Sequence, residues 1–388
     1  MENNNDNKVL NVPHLRFPEF SGEWKKCKLG DLCNVLMCKR ILVSQTNTED
    51  GVPFYKIGTI GSTPDAYISK ELFDDYKVKY NYPRKGEVMI TCAGTVGKCV
   101  VYDGEDAYFQ DSNIVWIDNP TQYISNGFLF HLLSKVDWRK LNSTTIIRIY
   151  NDDLRNLKMS YPRKEEQQKI SHLLSLLDER IATQNKIIED LKKLKSAIVD
   201  KLYSSTNGKT YSFCQLFEVV NEKNKKLAYK NVLSASQELG MIERSNINID
   251  IKFEQESISG YKIVRKGDYV VHLRSFQGGF AFSDTTGICS PAYTILRPND
   301  LVVYGYLSHF FTSKPFIKSL KLVTYGIRDG RSINVDEWLD MPILLPSAQE
   351  QMRILTIVNA IDAKLHNEAK VQFCLSSQKS YLLNTMFI

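Results

Sequence analysis

The 388-residue chain contains no apolar run of the roughly 18 residues that a membrane-spanning helix needs. Its opening residues, MENNNDNK, are polar and lack the apolar segment of a secretion signal. None of its 8 cysteines forms a C-x-x-C pair and its 6 histidines are equally scattered, which argues against a zinc site or a disulfide framework. We therefore expect a soluble, cytoplasmic protein that binds no membrane and no metal ion and keeps its thiols reduced.

Catalytic motifs are also missing. The segment CAGTVGK at 92–98 resembles a P-loop, but Gly94 and Gly97 do not have the spacing of G-x-x-x-x-G-K-[ST], so a glycine-bearing turn after a strand is the better interpretation. Asn119-Pro120 matches only half of the Asn/Asp-Pro-Pro-aromatic motif of amino-methyltransferases, and no glycine loop for S-adenosylmethionine accompanies it. Because no nucleophile and base stand in a recognisable pattern, we expect that the chain is not an enzyme on its own.

Two acidic pairs, Asp152-Asp153 and Asp336-Glu337, could in principle hold a metal ion. Each pair stands just before a leucine-rich strand in its half of the chain. This repeated position favours a structural role in a turn.

The composition permits nucleic-acid binding without requiring it. The formal net charge is +6 at pH 7 and the sequence pI is about 8.7, which is mildly basic. A hydrophobic fraction of 43% and an aromatic fraction of 11% are typical of a chain that builds packed cores. The length predicts two or three domains.

The chain repeats itself. The segment PRKEEQQKISHLLSLLDERI begins at Pro162, and PSAQEQMRILTIVNAIDAKL begins 184 positions later at Pro346. The two align without a gap, and similar residues recur along both. An ungapped repeat of one long helix, each preceded by a similar length of chain, indicates two copies of a globular domain followed by a helix.

Both predicted helices carry apolar residues at alternating steps of four and three, which is the pattern of a coiled-coil seam. Gln184, Lys195, Glu368, Gln372 and Lys379 interrupt it. The chain leaves the first helix near Tyr203 and enters the second at Ser347, so antiparallel pairing brings these points together. The predicted seam consists of Ile170, Leu174, Leu177, Ile181, Ile188, Leu191, Ile198, Leu202, Ile354, Val358, Ile361, Leu365, Leu375, Leu382 and Met386.

The two globular segments share a weaker pattern. Each contains Arg-Lys-Gly followed by an acid and a β-type run, at 84–87 and 265–268, and each has a helix-like stretch with a histidine, His131 or His309. Short β runs bounded by Gly, Asn and Asp, with one or two helices, predict an α+β fold. Between these landmarks the halves differ greatly, as expected of two sites that read different targets.

These patterns predict two related domains joined by two long helices in an antiparallel coiled coil, with internal pseudo-two-fold symmetry. The predicted segments are an N-terminal tail (1–20), a first globular domain (21–161), a central helix (162–204), a second globular domain (205–345) and a C-terminal helix (346–388).

A domain ending in L-x-x-L-x-[IL]-x-x-P, then E-Q-x-x-I and a long helix with a central Asp, occurs twice. With the opening VPHLRFPEFSGEWKKCKLGDL, this resembles the specificity subunit of type I restriction–modification systems. The resemblance implies that each domain reads one half of a bipartite, asymmetric site in double-stranded DNA. It also implies that the helices set the spacing between the domains and dock two methyltransferase subunits. Restriction nuclease–translocase subunits would complete the assembly. S-adenosylmethionine, ATP and Mg²⁺ would bind to the partner subunits and no cofactor to this chain.

Basic and amide side chains on loops can bind phosphates and read base edges. The strongest candidate is the loop YGIRDGRS at 325–332, with a counterpart at 144–151, because arginines stand beside glycine or polar residues near the end of each domain. An ordinary solvated face remains an equal alternative for any single basic residue. The candidate DNA-binding residues are Lys39, Arg40, Thr95, Lys98, Arg148, Tyr150, Asn151, Lys223, Lys225, Lys226, His272, Arg274, Gln277, Arg328 and Arg331.

A second function stays open from the residues alone. The chain could be a non-catalytic coiled-coil scaffold whose two domains bind proteins or other ligands. Salt-sensitive, sequence-selective DNA binding would separate the two functions, because phosphate neutralisation makes affinity fall steeply with salt.

Overall fold

The computed structural model describes residues 10–140, 147–236, 239–244, 255–272, 279–325 and 332–388. The chain forms two compact units, with Met1–Gln184 and Val371–Ile388 in unit 1 and Asn185–Lys370 in unit 2. Both mix helices and short strands, so the predicted α+β class is confirmed. Within the described ranges, no helix is both long and apolar enough to cross a membrane.

Unit 1 is built on a four-stranded antiparallel sheet in the order β2-β8-β5-β6. Its elements are β1 (Lys25–Lys28), β2 (Asn34–Leu36), β3 (Val52–Tyr55), β4 (Tyr67–Ile68), α1 (Lys70–Lys79), β5 (Val88–Thr91), β6 (Cys99–Val101), β7 (Tyr108–Phe109), β8 (Ile114–Asp118), α2 (Asn126–Lys135), α3 (Asn151–Arg155), β9 (Lys158–Tyr161), the first part of α4 (Lys164–Ser204) and the last part of the C-terminal helix α8 (Ala348–Met386).

Unit 2 repeats this sheet in the order β11-β18-β15-β16. Its elements are the last part of α4, β10 (Lys209–Ser212), β11 (Phe217–Val220), β12 (Leu233–Ser236), β13 (Gly240–Glu243), β14 (Lys262–Val264), β15 (Tyr269–Val271), β16 (Phe280–Phe282), β17 (Gly287–Cys289), β18 (Thr294–Pro298), α5 (Tyr306–Phe310), α6 (Lys314–Ser319), β19 (Thr324–Tyr325), β20 (Ser332–Ile333), α7 (Val335–Leu339), β21 (Pro342–Leu345) and the first part of α8 (Ala348–Met386).

The central strands of both sheets carry apolar residues at successive positions because both faces of each sheet are covered. In unit 1, Val115 and Ile117 face the cluster that contains α2 and the long helices, whereas Ile114 and Trp116 face a second cluster under β3, β4 and β7. In unit 2, Leu296 and Ile295 divide between two clusters in the same way. A continuous apolar run is what a strand buried on both faces requires.

The repeat seen in the helices extends into the strands. Lys25 of β1 pairs with Tyr161 of β9, and 184 positions later Lys209 of β10 pairs with Leu345 of β21. The Arg-Lys-Gly segments are turns before β5 and β15, where Gly86 has φ +87° and Gly267 has φ +96°, a conformation that favours glycine. The two units therefore share the four-stranded sheet, the strand pair β1–β9 or β10–β21, and the long helix that follows. We call these shared elements the frame.

The units differ in the small sheets that accompany the shared four-stranded sheet. Unit 1 inserts β3, β4 and β7, which form one small sheet, together with α1. Unit 2 carries two small pairs instead, β12 with β13 and β14 with β17. Neither set was apparent from the sequence patterns, in which this region differs between the halves.

A buried glutamine anchors each long helix to its domain. The Gln167 carboxamide accepts a hydrogen bond from the Ser125 amide (2.7 Å) and donates to the carbonyls of Tyr123 and Pro162 (2.9 Å each). Gln351 makes the same three bonds in unit 2, accepting from Val303 and donating to Leu301 and Pro346. The repeated Glu-Gln pattern thus positions each domain on the start of its helix.

The helices run antiparallel inside each unit. In unit 1, Asp178 of α4 binds Lys379 of α8, and Trp24 contacts both Glu166 at the start of α4 and Phe387 just beyond the end of α8. In unit 2, Lys195 lies 2.5 Å from Asp362, while Val199 packs in one cluster with residues 354–358. Every predicted seam residue is buried or partly buried. Ser347 caps α8 through the Glu350 amide (3.3 Å).

Residues 10–20, predicted as a tail, pack onto unit 1. Arg16 binds both carboxylate oxygens of the buried Glu166, at 2.8 and 2.7 Å. The Leu15 amide donates to the Thr385 carbonyl at 2.9 Å. This segment therefore joins the start of α4 to the end of α8.

Candidate nucleic-acid interface

One end of the four-stranded sheet gathers the polar loops of unit 1. β2 and β5 both run antiparallel to β8, so their last residues pair near its start: Leu36 with Trp116, and Thr91 with Ile114. The loop after β2, the turn at 92–98 and the segment before β8 therefore lie at the same end. We call this end, with the adjoining segment 147–151, the loop end.

Arg148 and Tyr150 are held at the loop end by backbone and side-chain contacts. The Ile149 amide donates to the Cys92 carbonyl at 2.9 Å, which ties their segment to the turn after β5. The Arg148 guanidinium donates to the Ser112 carbonyl at 3.3 Å and lies 5.9 Å from the ring centroid of Tyr150. Tyr150 is 61% exposed, so an aromatic ring and an arginine stand together at the surface.

The basic loop after β2 lies beside them. Arg40 is exposed and its Nε is 3.7 Å from a carboxylate oxygen of Asp111, the residue before Ser112. Lys39 is exposed and its ammonium lies 5.3 Å from the ring centroid of Tyr80. These cations and Arg148 thus share one surface, which fits the phosphate contacts predicted from the sequence.

The turn at 92–98 has a more structural character than predicted. Lys98 donates from its ammonium to the Ile60 carbonyl at 2.5 Å, so this cation holds the turn to a neighbouring loop. Thr95 is exposed at the tip. Burial raises the pKa of the Cys92 thiol to about 12, which keeps it protonated and unreactive. Asn151 begins α3.

Unit 2 presents an equivalent loop end. The His272 amide donates to the Gly279 carbonyl at 2.8 Å, closing the β15–β16 hairpin that corresponds to β5–β6. His272 is partly buried beside Tyr293, and burial lowers the pKa of its imidazole, which favours the neutral ring. Arg274 and Gln277 lie outside the described residues.

The lysine cluster after β11 corresponds to the loop after β2. Lys223, Lys225 and Lys226 are exposed, whereas Asn224 between them is buried. The Asn224 carboxamide donates to the Tyr229 carbonyl at 2.8 Å and so orders the cluster. Arg328 and Arg331 lie outside the described residues; β19 and β20 flank their segment.

Both acidic pairs lie in the first turn of a short helix, which agrees with the turn or structural role that the sequence predicts. The Asp153 carboxylate accepts a hydrogen bond from the Tyr150 amide (2.8 Å) at the start of α3, and Asp152 binds Arg155. Asp336 and Glu337 occupy the first turn of α7, where Asn334 caps the Glu337 amide. Carboxylates in the first turn of a helix favour its positive end.

A polar trio recurs in each unit where the domain meets the helices, and the sequence alone did not reveal it. His131 of α2 is buried with its Nδ1 3.9 Å from Asp178, the partner of Lys379. His309 of α5 lies 3.9 Å from Asp362, the partner of Lys195. Burial lowers the pKa of His131 to about 4 and also lowers that of His309, so both imidazoles are neutral at pH 7.

Comparison with known families finds a match to the first part of the chain. Residues 21–193 match the family model described as the type I restriction modification DNA specificity domain. A putative type I restriction enzyme specificity subunit of Haemophilus influenzae is 46% identical over 184 residues. That alignment covers 47% of this chain and 45% of the relative, so the chain spans less than half of that relative's length.

Weaker relatives extend over the whole chain. A putative type I restriction enzyme specificity subunit of Methanocaldococcus jannaschii is 22% identical over 98% of this chain and 96% of its own length. The crystal structure of a type I restriction–modification S subunit from M. genitalium superposes with a TM-score of 0.58 at 15% identity, covering 97% of this chain and 99% of that one. A chain from a structural study of complex assembly in a type I system gives a TM-score of 0.55 at 14% identity, covering 93% and 96%. The structures support the fold, and the specificity-domain match favours DNA recognition over a general scaffold.

Proposed function

We propose that this chain is a specificity subunit of a type I restriction–modification system and recognises a bipartite site in double-stranded DNA, as its similarity to such subunits suggests. Each unit reads one half of the site with its loop end. The chain supplies recognition, and the chemical steps belong to its partner subunits.

The observation that carries this proposal is the loop end of unit 1. Exposed Arg40 contacts Asp111, whose neighbour Ser112 accepts a hydrogen bond from Arg148, and exposed Lys39 precedes Arg40 in the same loop. Cations bind phosphates and set the position on the duplex, whereas an arginine with two donors can read a guanine edge. Because unit 2 has the same frame and different inserts, we propose that the two half-sites differ.

We further propose that the paired helices α4 and α8 dock two methyltransferase subunits and set the number of unread base pairs. Restriction nuclease–translocase subunits would join this assembly. S-adenosylmethionine, ATP and Mg²⁺ would act on those partners. The support is the similarity to specificity subunits together with the length of the helices, about 60 Å for 40 residues.

The test is the methylome of the host with the gene present and deleted. The proposal expects one methylated motif to disappear from all its genomic positions on deletion and to return when the gene is restored on a plasmid. A catalytically inactive methyltransferase partner with the intact chain is the control and should give no methylation. If deletion leaves every methylated motif in place in a host that expresses the chain with its partner, the proposal is wrong.

A further inference from the structure

Two exposed apolar residues occupy equivalent positions in the two units. Val43 stands 184 positions before Leu227, the same interval that separates the two helix repeats, and both follow the first strand of the four-stranded sheet. Val43 is 89% exposed and Leu227 is 49% exposed. A single exposed apolar residue is ordinary. The recurrence of one at the same place in both frames indicates a shared use.

Both residues are presented by ordered loops. In unit 1 the Gln45 side chain accepts from the Leu42 amide (2.9 Å), and the Thr46 hydroxyl donates to the Val43 carbonyl (2.8 Å). In unit 2 the Leu227 amide donates to the carbonyl of the buried Asn224 at 2.9 Å. Leu227 also has φ +51°, a strained conformation for a branched side chain. The loops therefore hold these side chains outward before any partner binds.

The surroundings of both residues are strongly basic. Lys39 and Arg40 precede Val43, and Lys225 and Lys226 precede Leu227, all of them exposed. Arg40 also contacts Asp111 at the loop end of unit 1. Leu42, next to Val43, is also exposed (58%). A surface that places exposed apolar side chains among cations fits a polyanion with apolar features between its charges. Duplex DNA has this chemistry, because deoxyribose rings and thymine methyl groups lie between its phosphates.

We propose that Val43 and Leu227 make apolar contacts with the DNA, one in each half-site. The neighbouring cations bind phosphates, and the valine or leucine is covered by a deoxyribose ring or a thymine 5-methyl group. This inference rests on the proposed function and adds a non-electrostatic component to it.

Salt dependence separates the two components. The binding of the full chain, with its methyltransferase partner, is measured on the duplex that carries the methylated motif over a series of KCl concentrations. Val43→Ser should weaken binding about 5- to 20-fold, because it removes an apolar side chain that the DNA would partly cover. The slope of log K against log salt should stay unchanged, because no cation is lost. Arg40→Ala should instead reduce that slope by about 0.9, which corresponds to one phosphate contact.

The chain offers a matched control in Val101→Ser. Val101 is 42% exposed at the far end of β6, where it pairs with Val88, away from the loop end. This variant should bind like the wild type. Leu227→Asn, which suits the left-handed backbone conformation, should weaken binding in the same way through the second half-site.

Uracil in place of thymine identifies the surface that covers the side chain. If wild-type binding falls to the level of Val43→Ser on the uracil duplex, the contact is a thymine methyl group; if it does not change, the contact is a sugar. Binding by Val43→Ser equal to that of the wild type would overturn the inference, and so would a loss accompanied by a lower salt slope. Failure of the proposed function looks different, because the wild-type protein itself would then show no preference for the motif duplex.

Discussion

Among the arginines predicted to read bases, Arg148 lies in the described part of the chain, and its surroundings explain how it can do so. Its guanidinium is held by a hydrogen bond to the Ser112 carbonyl and lies over the Tyr150 ring. An arginine guanidinium carries five N–H donors in a planar fork, the group that can read a guanine edge. The Tyr150 ring also supplies an exposed face beside it.

Arg148→Ala should relax the base preference of one half-site and leave the other half unchanged. A bidentate arginine–guanine contact contributes about 1–3 kcal/mol of discrimination. The methylome of cells carrying the variant measures this directly, with Arg155→Ala as the control because Arg155 binds Asp152 in the α3 turn. Equal weakening on every sequence would mean that Arg148 binds a phosphate.

A second prediction concerns Gln167 and stability. Gln167→Leu removes one acceptor and two donors from a buried network and leaves the Ser125 amide and two carbonyls unsatisfied. We expect unit 1 to lose about 2–4 kcal/mol of its free energy of unfolding, since an unpaired buried polar group costs about 1–3 kcal/mol.

The neighbouring residue supplies the control, because Gln168 is exposed. Gln168→Leu should change the free energy of unfolding by less than about 0.5 kcal/mol. Native-state hydrogen exchange of unit 1 peptides measures both variants. Equal protection in the two variants would show that the network around Gln167 does not stabilise the unit.

At the scale of elements, the long helices are the best-defined feature of the chain. Their seam residues are buried or partly buried, and their two interhelix ion pairs, Asp178–Lys379 and Lys195–Asp362, stand at repeat-equivalent positions. Ion pairs that recur in this way fix the register of a coiled coil more than its stability. Helices that are to set a constant number of unread base pairs need a fixed register, because sliding of one helix along the other would change the distance that they span.

Inserting four residues after Gln184, with a matching insertion after Gln372, should lengthen the unread spacer by one or two base pairs. Four residues add about 6 Å of helix, and a base pair of DNA occupies roughly 3.4 Å. The paired insertion keeps both Asp–Lys pairs in register, whereas the insertion after Gln184 alone shifts the seam and should also lower stability. The methylome reports the spacer length. An unchanged spacer with weaker assembly would show that the helices dock partners without setting the spacing.

The elements also show what the sequence could and could not predict. The helices were predictable because apolar periodicity is a local signal. The shared strands were predictable because the 184-residue repeat is visible when the two halves of the sequence are aligned. β4 and β7 have two residues each, and pairing between distant short strands leaves no periodic pattern to detect. The bond from Lys98 to the Ile60 carbonyl is equally non-local, so this lysine resembled a free cation in the sequence.

For the whole molecule, the central property is one frame carrying two different inserts. A shared frame directs both loop ends with the same geometry relative to their own helices. The inserts differ in every small sheet, β3-β4-β7 in unit 1 and the pairs β12-β13 and β14-β17 in unit 2. We therefore propose that the two surfaces favour different base sequences.

The methylated motif should therefore consist of two unlike parts separated by unread bases. The methylome that tests the proposed function also gives the motif. A continuous motif, or a perfect palindrome, would contradict this prediction. In a host whose only copy is a variant with a disrupted loop end in unit 2, the methylated motif should keep its first part or methylation should be lost altogether. A methylated motif with a different first part is not expected.

Unit 1 is assembled from two segments that lie far apart along the chain, and this has a consequence for its synthesis. Residues 371–388 belong to unit 1, and Phe387 stacks within 4.8 Å of Phe128 in its core. On the ribosome, the residues up to Gln184 emerge first and must wait until the whole of unit 2 has been translated before this part of their core arrives. During that interval an apolar surface around Trp24 and Phe128 lacks its cover, and exposed surface of this kind promotes aggregation. Nascent chains stalled before residue 371 should therefore engage chaperones more strongly than released full-length chains.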